Sequence, residues 1–276
     1  MRYLDPKNDL VFKKVFSRPR LLKSFLNALL PLAAPVESLE NLPAELVPEI
    51  PGMKHSIVDV RCVDSRGRQF IVEMQLFWTD SFKRQVLFNA SKAFVRQADR
   101  AAKYTALQPV FSLNLVNQIF ERDSPDFYHH YAIVEMEHSH RQMEGLEFVF
   151  VELPKFEPEA IASDRMRKLW LRFMTETGGD TAAAAAELMD EPATREALEC
   201  VAESAFSREE LETYDRYWDS IRSEVTPLDE SFHEGEQKGK LEGKLEMAAA
   251  LKKAGLLTAE QIAAASGLPV TRVREI

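Results

Sequence analysis

Apolar positions recur at helical spacing across residues 9–30 (DLVFKKVFSRPRLLKSFLNALL). Leu10, Val11, Phe12, Val15 and Phe16 form one run, Pro19 breaks it, and Leu22, Phe25, Leu26 and Leu29 resume it. A proline-rich passage follows over 31–51. Residues 56–63 (SIVDVRCV) then alternate like a strand, Asp64-Ser65-Arg66-Gly67 has the chemistry of a turn, and 69–77 (QFIVEMQLF) make a second strand, so the segment predicts a β-hairpin. Helical spacing returns over 82–104. The apolar runs 110–120 and 148–153 (FVFVEL) predict buried strands, and 131–137 is a further strand candidate. From 157 to 232 the pattern is helical throughout and includes the alanine run 182–186, a strong helix former. The pattern predicts an α/β chain with a sheet flanked by helices in residues 1–156, an acidic helical region in 157–232, and a C-terminal part in 233–276.

Charge changes this picture in one respect. The 276 residues carry a formal charge of −9, which on its face disfavours a nucleic-acid partner. Between residues 187 and 230, however, fourteen acids face four arginines, so that segment holds −10 and the rest of the chain is at +1. A local basic face is all that a phosphate backbone requires. Two cysteines, Cys62 and Cys200, are too few for a disulfide framework and read as reduced core residues. The first residues lack the continuous apolar stretch of a signal peptide, and no stretch is long enough to span a bilayer. The expectation is a cytoplasmic protein with no membrane partner.

Candidate chemistry concentrates in the hairpin. Asp59 falls near the centre of the first strand and Glu73 in the second, both flanked by Ile and Val. Side chains alternate along a strand, so Glu73 and Gln75 share a face. A carboxylate in apolar surroundings carries a desolvation cost unless it is paired or metal-bound. Two such groups meeting at a sheet make a natural site for Mg²⁺, which takes oxygen ligands and shares its shell with water and phosphate. Spacing alone leaves open the alternative that both acids point outward from a half-exposed sheet.

Four segments in order give the pattern more specificity: DPKNDLVFKKVF, KHSIVDVRCVDSRGRQFIVEMQ, RQVLFNASKAFVRQADRAAKYTALQPVFSLNLV and FVFVELPKF. Together they resemble the PD-(D/E)xK nuclease superfamily, in its branch of Rpn-type recombination-promoting nucleases and transposases, over residues 3–156. The resemblance implies a restriction-endonuclease-like core, a DNA substrate, and Mg²⁺ held by Asp59 and Glu73. It places Asp59 at the PD aspartate and Glu73 at the (D/E)xK acid. Val58 stands where the superfamily has proline, and Gln75 where it has lysine. Glutamine supplies hydrogen bonds but no positive charge. Lys13, Lys54 and Lys92 are three candidates for the missing cation, and the sequence does not choose among them. Asp9 matches the branch's first-helix acid, with two roles open: completing the metal site, or capping and pairing on its own helix.

The helix predicted over 82–104 carries six basic residues against Asp99. Arg84, Lys92, Arg96 and Gln97 are its candidate DNA contacts, and a solvated basic face is the competing reading. His129-His130 and His138-Ser139-His140 are weak zinc candidates without a cysteine nearby. Gly235, Gly239 and Gly243 recur every four residues, and Leu241, Leu245, Ala248 and Ala249 extend an apolar stripe that the rest of the tail is too short to cover. That stripe predicts a homodimer through the C-terminal segment, with a flexible linker as the alternative. The last residues, TAEQIAAASGLPVTRVREI, resemble a small helix-turn-helix. The expected function is Mg²⁺-dependent endonucleolytic cleavage of DNA. Its rivals are a non-catalytic DNA-binding or oligomerising protein on a degenerate nuclease fold, and a toxin-like RNase using the same site.

Overall fold

The computed structural model describes residues 2–47, 54–98, 103–161, 164–178, 186–255 and 257–276, and for 224–239 the helical backbone alone. These residues divide into two compact units, Met1–Leu211 and Glu212–Ile276. The alanine run, apart from Ala186, and Arg100 of the basic segment lie outside the described residues.

The first unit opens with α1 (Asp9–Phe16) and α2 (Pro19–Leu29). Asn8 caps α1, its side chain accepting the backbone N–H groups of Leu10 and Val11, and Pro19 sits in the first turn of α2, where its missing N–H costs nothing. Phe12, Phe16 and Phe25 are fully buried and pack in a chain of ring contacts with Trp170 of α4 (Arg165–Glu176). Each such ring contributes about 1.5–3 kcal/mol by burial. With α5 (Ala186–Asp190) and α6 (Pro192–Val201), these helices pack in one unit with the sheet, although the sequence sets 157–232 apart as a zone of its own.

Six strands form the main sheet: β1 (Leu39–Leu42), β4 (Val60–Asp64), β5 (Gln69–Gln75), β6 (Val110–Val116), β8 (His138–Glu152) and β7 (Tyr128–Glu135), in that order. Strands β5, β6 and β8 run parallel and the outer pairings are antiparallel. This is the mixed sheet flanked by helices that the pattern predicts. The turn after β4 also forms as expected. Asp64 accepts the N–H groups of Arg66 and Arg68, and Gly67 takes a φ of +83°, where glycine alone is unstrained.

Two expectations are corrected. The strand expected over 56–63 is broken: β3 (Ser56–Ile57) pairs with β2 (Glu45–Leu46) in a separate two-stranded sheet, and β4 starts only at Val60. Asp59 therefore lies in the break, not at a strand centre. Val58 donates its N–H to Ala44, just before β2, while Val60 pairs with Val72 of the large sheet, so the chain changes sheets at Asp59. The helix over 82–104 ends early, giving α3 (Phe82–Val95), because the Gln97 amide clamps the backbone of Gln108 and turns the chain toward β6. The proline-rich passage 31–51 contributes the edge strand β1 and the short strand β2.

In the second unit the long helix α7 (Arg208–Ala254) leads to α8 (Ala259–Ser266) and α9 (Val270–Glu275). Thr258 and Gln261 form a capping box, and Gly267 closes α8 in the left-handed conformation. Leu245 and Ala248 pack with Ile262, Ala263, Leu268 and Val273. That corrects the expectation that the tail leaves this stripe uncovered, because α8 and α9 fold back over it. Leu241 and Ala249 stay exposed. Gly243 has open space around it, and the side-chain surroundings of Gly235 and Gly239 lie outside the described residues.

Candidate active site

The break at Asp59 builds the site. Continued by one step, the β4–β5 register would set Asp59 opposite Glu73. In place of the ladder, the two residues exchange contacts through their carboxylates. Asp59 Oδ2 accepts the Met74 backbone N–H at 2.8 Å, and the Glu73 carboxylate accepts the backbone N–H of Asp59. Bending the strand at one residue thus swings both acids to the same spot and satisfies the freed N–H groups with them.

Glu73 is 8% exposed. Burial first, and the neighbouring Asp59 charge second, push its carboxyl up to about 8. Burial also pushes Asp59 up to about 6, against the Met74 N–H, which favours its ionised form, and with the Asp9 carboxylate adding to the rise. Asn89 of α3, 1% exposed, reaches Glu73 Oε1 with its amide nitrogen at 3.4 Å, and its own Oδ1 is buried without a hydrogen-bond partner.

Lys13 of α1 supplies the nearest cation. Its Nζ lies 2.7 Å from Asp9 and 3.8 Å from Asp59 Oδ1. Burial lowers the ammonium pKa, but the Asp9 hydrogen bond and the charges of Asp9, Asp59 and Glu73 outweigh it, and the net shift is upward. The structure thereby separates the three candidate lysines. Lys92 is spent on the protein itself, donating to Leu46 O, Lys54 O and Ser56 Oγ at 2.6–3.0 Å. Lys54 is exposed, two residues before β3. The cap of α1 is Asn8, not Asp9, and Asp9 shares a hydrogen bond with Asp59.

The remaining sequence candidates fall in different places. Gln75 shares the Glu73 face and donates its amide to Phe77 O at 2.7 Å. Arg84 is exposed on α3 and has no hydrogen-bond or ion-pair partner among the described residues. Arg96 is the C-cap of α3, and the Gln97 amide is engaged on both sides by Gln108. His129, His130 and His138 each meet a glutamate of the β7–β8 hairpin, at 2.7–3.0 Å. Among the described residues no group of three or more His, Cys, Asp or Glu side chains is arranged to hold a metal. Sequence reasoning missed Asn89; the available signal was a polar residue amid the buried helical spacing of Val86, Ala90 and Ala93.

A family model for PD-(D/E)XK nuclease family transposases matches residues 6–228. The chain belongs to that family. Membership points to a nuclease-like or transposase-related function, and nucleases of this kind generally use divalent metals. No curated protein and no solved structure matches the chain. Among the described residues no helix is long and apolar enough to cross a membrane.

Proposed function

We propose that this family member is a Mg²⁺-dependent DNA endonuclease, hydrolysing phosphodiester bonds in the service of recombination or DNA mobility. One observation carries the reading: a half-buried and a buried carboxylate, Asp59 and Glu73, brought together by a break in the strand, each pushed toward protonation by burial and Glu73 also by the Asp59 charge. The residues present fit a hard cation. Mg²⁺ is commonly bound by one or two carboxylates with waters and substrate phosphate completing its shell, and the unpartnered Asn89 Oδ1 marks a further polar gap beside them. A divalent ion held by Asp59 and Glu73 would polarise water and neutralise phosphodiester charge.

The chain's own residues take the other roles. Lys13 stands in for the lysine that Gln75 replaces, giving a positive group within reach of the Asp59 carboxylate on which an anionic phosphate oxygen can settle. Asp9 holds Lys13 in place by an i,i+4 pair. Gln75 orients water or a phosphate oxygen through hydrogen bonds, since it carries no charge. Arg84 takes a backbone phosphate. Lys92 and Gln97 act on DNA indirectly, by fixing the small sheet and the end of α3. The cytoplasmic location remains part of the proposal, supported by Cys62 and Cys200, both free and buried. Self-association through the C-terminal segment also remains a proposal, supported by the open surface at Gly243 and by Leu241, which is 48% exposed.

The test is nicking of a supercoiled plasmid with Mg²⁺ or EDTA, by wild type and Glu73→Gln. Mg²⁺-dependent nicking that disappears in a folded Glu73→Gln variant supports the reading. Nicking by that variant at the wild-type rate overturns it, and a wild type that binds DNA without cutting leaves the degenerate-fold alternative standing. Single-stranded RNA offered beside the plasmid separates DNA from RNA as the preferred substrate.

A further inference from the structure

A cleft of about 450 Å³ opens beside the two carboxylates, between the first half of α3 and the strand β3. Lys54, Ile57, Arg84, Phe88 and Asn89 are among its lining residues. Asn89 is shared with the site already described: it is one of the lining residues of the cleft, and its amide nitrogen reaches Glu73. The remaining walls divide by chemistry. Ile57 is 61% exposed and Phe88 half-buried, giving an apolar and partly aromatic surface. Arg84 and Lys54 add two exposed cations whose side chains have no hydrogen-bond or ion-pair partner among the described residues.

A volume of this size is that of a pocket for one small ligand, not of a channel for a double helix. A paired duplex offers a protein its phosphates and the edges of stacked bases, and an aromatic face gains nothing from either. An unpaired nucleotide offers a free π-face for Phe88 and a phosphate for Arg84 or Lys54. We propose that the cleft holds one unpaired nucleotide of the DNA chain next to the phosphate presented to Asp59 and Glu73, so that the preferred substrate has single-stranded character: a free strand, an overhang or a branch point. The inference rests on the nuclease reading of Asp59 and Glu73 and narrows its substrate class.

The full chain is tested in EDTA by fluorescence anisotropy with one short labelled oligodeoxyribonucleotide in three forms: single-stranded, blunt duplex, and duplex with an unpaired overhang. Wild type is expected to bind the first and third more tightly than the second. Phe88→Leu, which keeps apolar bulk but removes the ring, is expected to weaken those two by roughly tenfold and to leave the blunt duplex unchanged, with Phe88→Trp restoring the preference. Equal binding of all three forms by wild type, or an unchanged preference in Phe88→Leu, overturns the proposal. Cleavage in Mg²⁺ keeps the two ideas apart. Cutting that is lost in Asp59→Ala, without any preference for unpaired DNA, removes the cleft's role and keeps the nuclease; a preference without any cutting does the reverse.

Discussion

Two buried glutamates stand at the carboxyl ends of parallel strands on one sheet, and their surroundings differ. Glu152, at the end of β8, is 0% exposed. It accepts the Glu121 backbone N–H at 3.1 Å, meets His129 Nε2 at 3.0 Å, and has Lys155 Nζ at 3.0 Å, although that ammonium is not aligned as a hydrogen-bond donor to it. Lys155 in turn donates to the carbonyls of Glu121, Ser124 and Asp126, tying down the loop before β7. Glu73, two strands away on β5, has a long contact to Asn89, the Asp59 backbone N–H, and a second carboxylate as its neighbour. Burial costs both residues hydration. At Glu152 the protein repays that cost with its own partners, as a structural charge must be repaid. At Glu73 the cost is left standing, the pattern expected where charge arrives with metal and substrate.

The largest expected effects come from removing one carboxylate at a time. Asp59→Ala or Glu73→Ala should bring Mg²⁺-dependent cleavage to background while circular dichroism shows a folded protein; either variant cutting at the wild-type rate would dissolve the contrast. Glu152→Ala should leave His129 and the Glu121 N–H without their partner and Lys155 without its counter-charge, and lower unfolding stability by about 3–5 kcal/mol in urea titration. A Glu152→Ala protein as stable as wild type would show that the β8 cluster carries no structural burden.

The second effect is on pH. The folded Glu73 carboxyl titrates near 8 and Asp59 near 6, both above their unfolded values of 4.5 and 3.8. Between each pair of values the folded state binds more protons than the unfolded one, so metal-free stability should fall as pH rises through those windows. Thermal melts in EDTA from acid to pH 8.5 check the sign. Mg²⁺ should raise the melting temperature more at pH 8.5 than at pH 6, because protons compete with the metal for the same oxygens. Metal-free stability that is flat across this range would contradict the assigned surroundings.

Smaller effects test the cations. Lys13→Met should lower kcat by roughly 10²-fold if it holds charge developing on the phosphate, with plasmid affinity changed little. Arg84→Ala should reduce the salt slope of DNA binding by about one. Lys92→Ala should instead lose stability, by about 1–3 kcal/mol, because it leaves the oxygens of Leu46, Lys54 and Ser56 without their donor.

Much of this was legible in the sequence, and the failures have physical causes. The carboxylate pair was readable because Asp59 and Glu73 interrupt apolar runs, and the hairpin turn because Asp64 and Gly67 carry turn chemistry. The break at Asp59 was hidden, since SIVDVRCV alternates evenly whether one strand or two sheets use it; only the tertiary pairing of Val58 with Ala44 decides. Composition marked 82–104 as a basic face, but whether a lysine meets solvent or the protein's own carbonyls depends on a loop far away in sequence, as Lys92 shows. Lys13 is one of three candidate lysines in the sequence, and its 3.8 Å approach to Asp59 depends on the fold laying α1 beside the broken strand. The stripe at Leu245 and Ala248 looked uncovered because α8 and α9, though short, turn back at Gly267.

The most direct test of the central contrast is the same conservative change at both glutamates, read by urea denaturation in EDTA at pH 8.5. Glu73→Gln should be as stable as wild type or more so, because it removes a buried charge that burial disfavours, and Glu152→Gln should be less stable, because it removes the negative charge that faces His129 and Lys155. A destabilised Glu73→Gln beside an unaffected Glu152→Gln would contradict the account and make Glu73 the structural residue.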